Sequence, residues 1–168
     1  MIRRWGIVLL AGWTAACSQG VGSGDNAAGE RLEAAGIAAG LVADPAAAPL
    51  DGIWSRDTDR MCILPKSGGA AADRQIGVML DYGEGQGCTA RGTLHRSGPA
   101  LEIALGACRF TARFDGETIQ FPAALPNACN ALCTGRASLS ALAVERISAS
   151  MAEAQALHGV DGDRLCDS

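Results

Sequence analysis

The residues best equipped for chemistry in this 168-residue chain are seven cysteines, two histidines and a few acids and arginines set among alternating apolar positions. A thiol metal site needs paired Cys-x-x-Cys knuckles. Only Cys129 and Cys133 come close, and no histidine stands beside them, so no metal is expected. Cys62, Cys88, Cys108, Cys129, Cys133 and Cys166 form an even set instead. In an oxidising compartment such a set gives three disulfides, each worth roughly 2–4 kcal/mol, with the pairing left open. Cys17 makes the count odd and needs a separate explanation.

Nucleophilic and acid–base chemistry has little to build on. His95 falls at a strand end and His158 at the end of a short helical stretch, and neither has a Ser, Cys or carboxylate partner at a motif spacing. Gly83-Glu84-Gly85-Gln86-Gly87 is glycine-rich, but no helix start or lysine follows it, as a phosphate cradle requires. Asp161-Gly162-Asp163 lacks the remaining ligands of a calcium loop and reads as a turn. No catalytic set, cofactor or metal is expected. The one grouping that suits recognition is Arg91, Glu102, Arg109 and Arg113, expected on the outer side of adjacent strands. Its competing reading is surface ion pairing, worth about 0–1 kcal/mol.

The elements that must position these groups alternate with period two. Asp115-Gly116 read as a two-residue hairpin turn pairs Ala112 with Ile119 and Phe110 with Phe121. Ser97-Gly98 pairs Leu94 with Leu101 and Gly92 with Ile103. Gly106-Ala107 pairs Ile103 with Phe110, and the loop Gly83–Gly87 sets Leu80 beside Ala90 and Val78 beside Gly92. These turns place every large apolar residue, Tyr82 included, on one face. Two strands precede them, near Gly52–Arg56 and Arg60–Leu64, joined at Asp57-Thr58-Asp59. The facing of Met61–Leu64 is ambiguous because the run is continuously apolar. After the meander come a helical turn within 127–134, a bulged strand over Ala137–Ile147, and a helix Met151–His158. That helix is started by the capping box Ser150–Glu153 and ended by Gly159.

The fold expected for residues 50–168 is therefore mainly β. It is an antiparallel meander curling into a small barrel of six to eight strands, with one short C-terminal helix, three disulfides and a packed interior. The segment Leu50-Asp51-Gly52-Ile53-Trp54 resembles the Gly-x-Trp start of calycin (lipocalin-like) barrels. That resemblance implies a Trp across one barrel end with an arginine beside it, here Arg136 or Arg146.

The N-terminus is basic (Arg3, Arg4), then apolar from Trp5 to Trp13, then Thr14-Ala15-Ala16-Cys17. This order is that of an export signal, residues 1–16. It resembles a bacterial lipoprotein leader with its lipobox, although Thr14 stands where leucine is usual. The resemblance implies diacylation of the Cys17 thiol and cleavage before it. With Ser18 next, it also implies the outer membrane, facing the periplasm. Cleavage after Ala16 by an ordinary signal peptidase would instead give a secreted or periplasmic protein. Residues 17–49 are rich in Ala, Gly and Ser, the composition of a flexible tether reaching about 30 Å, with a short helix around Glu30 to Ala39 as the alternative for part of it. Losing Arg3 and Arg4 from 14 basic residues leaves 12 against 18 acidic ones, a net charge of −6. That sign does not suit nucleic acid. Function is thus expected to be non-enzymatic: a monomeric, lipid-anchored envelope protein binding a macromolecular partner by its surface or loops. Periplasmic inhibitors of lysozymes and secreted proteases share this build. The alternatives are a calycin-type carrier of a small apolar molecule and a purely structural envelope protein.

Overall fold

A computed structural model of the protein describes residues 27–166. The leader, Cys17 and the tether up to residue 26 lie outside the described residues. Helix α1 (Ala27–Ala38) is followed by β1 (Gly52–Arg56), β2 (Asp59–Pro65), β3 (Asp73–Asp81), β4 (Gly87–Ser97), β5 (Ala100–Leu105), β6 (Cys108–Phe114) and β7 (Thr118–Gln120). A 3-10 helix (Asn127–Leu132), β8 (Cys133–Thr134), β9 (Ala143–Ser148) and α2 (Met151–Ala156) complete the order. Strands β1 to β7 form an antiparallel meander, and β9 inserts between β7 and β1 to close an eight-stranded barrel. Strand β8 adds only Gly87–Thr134 and Cys88–Cys133 pairs at the start of β4.

The interior is a single apolar cluster that includes Met61, Ile63, Ile76, Val78, Leu94, Leu101, Ile103, Ile119 and Val144, with Phe110 packed against it. No polar or charged residue is buried among the described residues. This is the one-face burial expected of the meander, but its registers differ from the sequence reading. The β4–β5 turn is Gly98-Pro99, so Leu94 pairs with Ile103 rather than Leu101. Gly98 has φ +61, a conformation that glycine adopts without steric cost. The β6–β7 turn spans Asp115–Thr118, pairing Phe114 with Ile119, because the Asp115 carboxylate accepts from the Glu117 and Thr118 N–H groups. The β3–β4 loop centres on Glu84, setting Val78 beside Ala90. Each shift is two residues, so inward residues stay inward. The Ile103–Phe110 pair stands as expected. Tyr82 does not point inward; it leaves the end of β3 and is 55% exposed.

The two barrel ends are closed differently. At one, Trp54 is fully buried, donates from Nε1 to the Leu50 carbonyl at 2.8 Å, and meets Phe114 edge-on at 5.7 Å. Two arginines reach this end, Arg146 of β9, one of the two the sequence offered, and Arg96 of β4 in addition. Arg96 lies 5.4 Å over the Phe114 ring and donates to the carbonyls of Pro45 and Ala48. Arg146 pairs with Trp54 across the β1–β9 ladder and donates to the Pro49 carbonyl, whereas Arg136 is at the far end, where its backbone N–H meets Gln86. Thus Pro45–Leu50 crosses this end, with Ala48 against the core. At the other end the segment 121–142 forms a lid. Cys88–Cys133 and Cys108–Cys129 staple it to β4 and β6, and Leu139 and Leu142 fill the opening. This lid replaces most of the strand expected over Ala137–Ile147; only Ala143–Ser148 is extended and paired.

Outside the barrel lies a second, smaller core. Cys62 and Leu64 face outward from β2 and meet Ala154 of α2 and Leu165 and Cys166 of the C-terminal tail. The third disulfide, Cys62–Cys166, fixes that tail. Both faces of Met61–Leu64 are therefore covered, which is why the run shows no alternation. Helix α2 starts at Ser150, whose hydroxyl accepts from the Glu153 N–H, but it stops at Ala156 with Leu157 as its C-cap rather than Gly159. The tail turns away there to cross β3. Gly77 makes this approach feasible: a Cβ on it would lie 2.1 Å from the Leu165 carbonyl oxygen.

Candidate functional site

With the interior filled, the outer face of β4, β5 and β6 is the candidate surface, and two hollows border it. Alternation turns Thr93 and His95, Glu102, and Arg109, Thr111 and Arg113 to this side, all of them exposed. In the observed registers Glu102 stands between His95 on β4 and Thr111 on β6. Arg109 and Arg113 are its diagonal neighbours, since they pair with Ala104 and Ala100.

Arg91 does not belong to this group. The two-residue shift between β4 and β5 removes it from Glu102's neighbourhood. Instead its guanidinium donates to the Arg164 carbonyl at 2.7 Å and pairs with Asp161 at 3.2 Å, helping to hold the tail. Arg109, Arg113 and Glu102 make no ion pair or side-chain hydrogen bond among the described residues. Mutual neutralisation, the competing explanation for the cluster, is therefore not what the side chains do.

Two hollows flank this ridge and share Thr111. One, about 470 Å³, is lined by Lys66, Asp73, His95, Glu102 and Arg109. The other, about 480 Å³, lies between β5–β6 and the N-terminal segment, with Arg113, Glu33 and Asp44 on its walls. Sequence reasoning missed the partner of His95: its Nδ1 is 2.7 Å from Asp73 Oδ1, across the β3–β4 ladder. An ionised carboxylate only accepts, so Nδ1–H donates and Nε2 is the nitrogen left for a ligand. This hydrogen bond, helped by the Ala70 N–H at 3.2 Å, holds the Asp73 carboxyl below its usual range. The pairing was recoverable from sequence only with the β3–β4 loop centred on Glu84.

The face can therefore present two unpaired guanidiniums, one unpaired carboxylate and a histidine on a rigid sheet. It has no aligned nucleophile and no cluster of three metal-ligating side chains among the described residues. His158 is exposed in the tail, paired by a bridge to Arg164, far in sequence from this face. The six remaining cysteines are all committed to disulfides. No helix of the described residues is long and apolar enough to cross a membrane. No protein-family model matches the chain, and no curated protein or solved structure matches it.

Proposed function

We propose that this protein is a non-enzymatic envelope lipoprotein, anchored through Cys17, that binds a macromolecular partner on the outer face of β4–β6. The observation that carries the reading is the unpaired Glu102–Arg109–Arg113 ridge between two hollows. Exposed guanidiniums left without internal partners keep their full hydrogen-bonding capacity for another surface. The barrel interior supports the same reading: it is occupied by side chains, where a calycin-type carrier of an apolar molecule needs an empty volume of a few hundred Å³. The acidic mature chain favours a partner whose contact surface is basic overall, with carboxylates opposite Arg109 and Arg113.

Two experiments test this proposal. Replacing Cys17 with Ser is expected to release the protein from membranes into the soluble fraction; continued retention contradicts the lipid anchor. Photocrosslinking from Thr111 in native envelopes is expected to trap one dominant partner, and Arg109→Ser with Arg113→Ser to abolish the adduct. A smear of adducts that is indifferent to those substitutions contradicts the binding face.

A further inference from the structure

A different cleft, of about 200 Å³, opens at the lidded end of the barrel and shares no residue with the β4–β6 face. Three parts of the chain meet around it: the β1–β2 hairpin with Arg56, Asp57 and Asp59, the end of β3 with Tyr82, and the lid with Ser138 and Ser140. Several functional groups there have no partner among the described residues. Among the described residues, the Arg56 guanidinium, the Asp57 and Asp59 carboxylates and the hydroxyls of Tyr82 and Ser140 have no hydrogen bond or ion pair. Arg60 Nη1 donates to Ser55 Oγ and to the carbonyls of Asp57 and Asp59.

Asp59 Oδ1 is closed to solvent and has no partner, a costly state for an acceptor. Burial, together with the nearby Asp57, raises the Asp59 pKa above its usual value. Backbone strain gathers at the same place. The non-glycine residues with left-handed backbones among the described residues are Asp57 (φ 51), Glu84 (φ 52) and Ala141 (φ 57). Asp57 and Ala141 line the cleft, and Glu84 is in the loop that begins at Tyr82. Such conformations cost about 1–2 kcal/mol each and tend to collect where a site must be held in shape.

The chemistry of the lining narrows the occupant. An anion meets Asp57 and Asp59, and a metal ion or organic cation meets Arg56. A small apolar molecule would cover polar groups without satisfying them. What suits carboxylates, a guanidinium and hydroxyls together is a neutral molecule whose hydroxyls both donate and accept. The Tyr82 ring, 55% exposed at the rim, adds a flat face for a C–H surface to rest on. The geometry points to this cleft as a binding site for one sugar residue, with vicinal hydroxyls donating to Asp59 Oδ2, the carboxylate oxygen that is not closed off, and accepting from Arg56 and Ser140, and the ring against Tyr82. This site does not depend on the partner face of β4–β6.

The test is a titration of the ¹⁵N-labelled full-length protein, followed by amide shifts. The probes are D-glucose, D-galactose, D-mannose and N-acetyl-D-glucosamine, with methylguanidinium and acetate as charged controls. Saturable shifts from at least one sugar are expected at Thr58–Arg60, Tyr82–Gly83 and Ser138–Leu142. Asp59→Asn and Tyr82→Ala are each expected to weaken that binding about tenfold, and Arg109→Ser to leave it unchanged. Tyr82 is exposed and Asn is isosteric with Asp, so both variants keep the fold. The assignment is overturned if none of the four sugars moves these amides, if both variants bind as the parent does, or if either charged control binds more tightly than every sugar.

Discussion

Replacing Gly77 with alanine tests how the C-terminal tail is held. The new methyl would lie 2.1 Å from the Leu165 carbonyl oxygen and 2.7 Å from Leu165 Cγ, on a central strand paired on both sides. Strand β3 has nowhere to go, so the tail must lift. Leu165 is fully buried in the outer core, and exposing it costs about 1.5–3 kcal/mol. The Arg91 contacts to Arg164 and Asp161 are exposed and add at most about 1 kcal/mol. The Cys62–Cys166 bond keeps the tail tethered, so the loss stops there. A destabilisation of about 2–4 kcal/mol follows, which for a domain of this size lowers Tm by roughly 8–16 °C. The assay is thermal unfolding without reductant, for Gly77→Ala, Leu165→Ala and the double variant. Leu165→Ala alone is expected to cost about 2–4 kcal/mol, and the double variant little more than either single, because both remove the same packing. A Tm change below about 2 °C for Gly77→Ala, or full additivity of the two, refutes the close approach of tail to strand.

Peptide mapping of unreduced protein is expected to find Cys62–Cys166, Cys88–Cys133 and Cys108–Cys129 and no other pairing among these six. Their sequence separations of 104, 45 and 21 residues correspond to about 4.8, 4.0 and 3.3 kcal/mol of loop-closure entropy. Replacing the Cys108–Cys129 pair by Ala is therefore expected to be the mildest of the three deletions in chemical denaturation. Changing Arg109 and Arg113 together to Ser is expected to leave Tm within about 2 °C of the parent, since neither has a partner within the chain; a drop several times larger makes them structural. NMR titration of the Asp73 carboxyl is expected to give a midpoint below the ordinary aspartate range, rising in His95→Ala. With its folded value depressed, Asp73 contributes stability above its unfolded value and loses it as pH falls through the folded one.

The fold was legible in the sequence because a barrel reads parity before it reads register. Three of the four meander turns sit one residue from where Ser97-Gly98, Asp115-Gly116 and Gly83–Gly87 suggest, which shifts the pairing by two and so keeps Val78, Ile103 and Ala112 facing inward. The same shift spoils pairwise inferences, and for that reason Arg91 was grouped with Glu102 and the Asp73–His95 contact was missed. The lid was illegible for a different cause. Its shape is set by two disulfides to distant strands, and no local signal in 121–142 distinguishes such a stapled loop from a bulged strand. The outer core announced itself only as the missing alternation of Met61–Leu64. The idle cleft around Asp59 needs the hairpin, the end of β3 and the lid brought together, which only the tertiary structure does.

Everything assigned to the outer surfaces depends on a closed barrel whose inside is full. Nuclear Overhauser contacts among the side-chain methyls of Ile76, Val78, Ile103, Ile119 and Val144 measure this most directly, because strands from around the ring contribute them to one cluster. Dense contacts linking all five, unaltered when xenon is dissolved in the sample, are the expected result. Methyls that contact only their own hairpin neighbours, or that shift as xenon enters among them, would show a hollow or open barrel and contradict it.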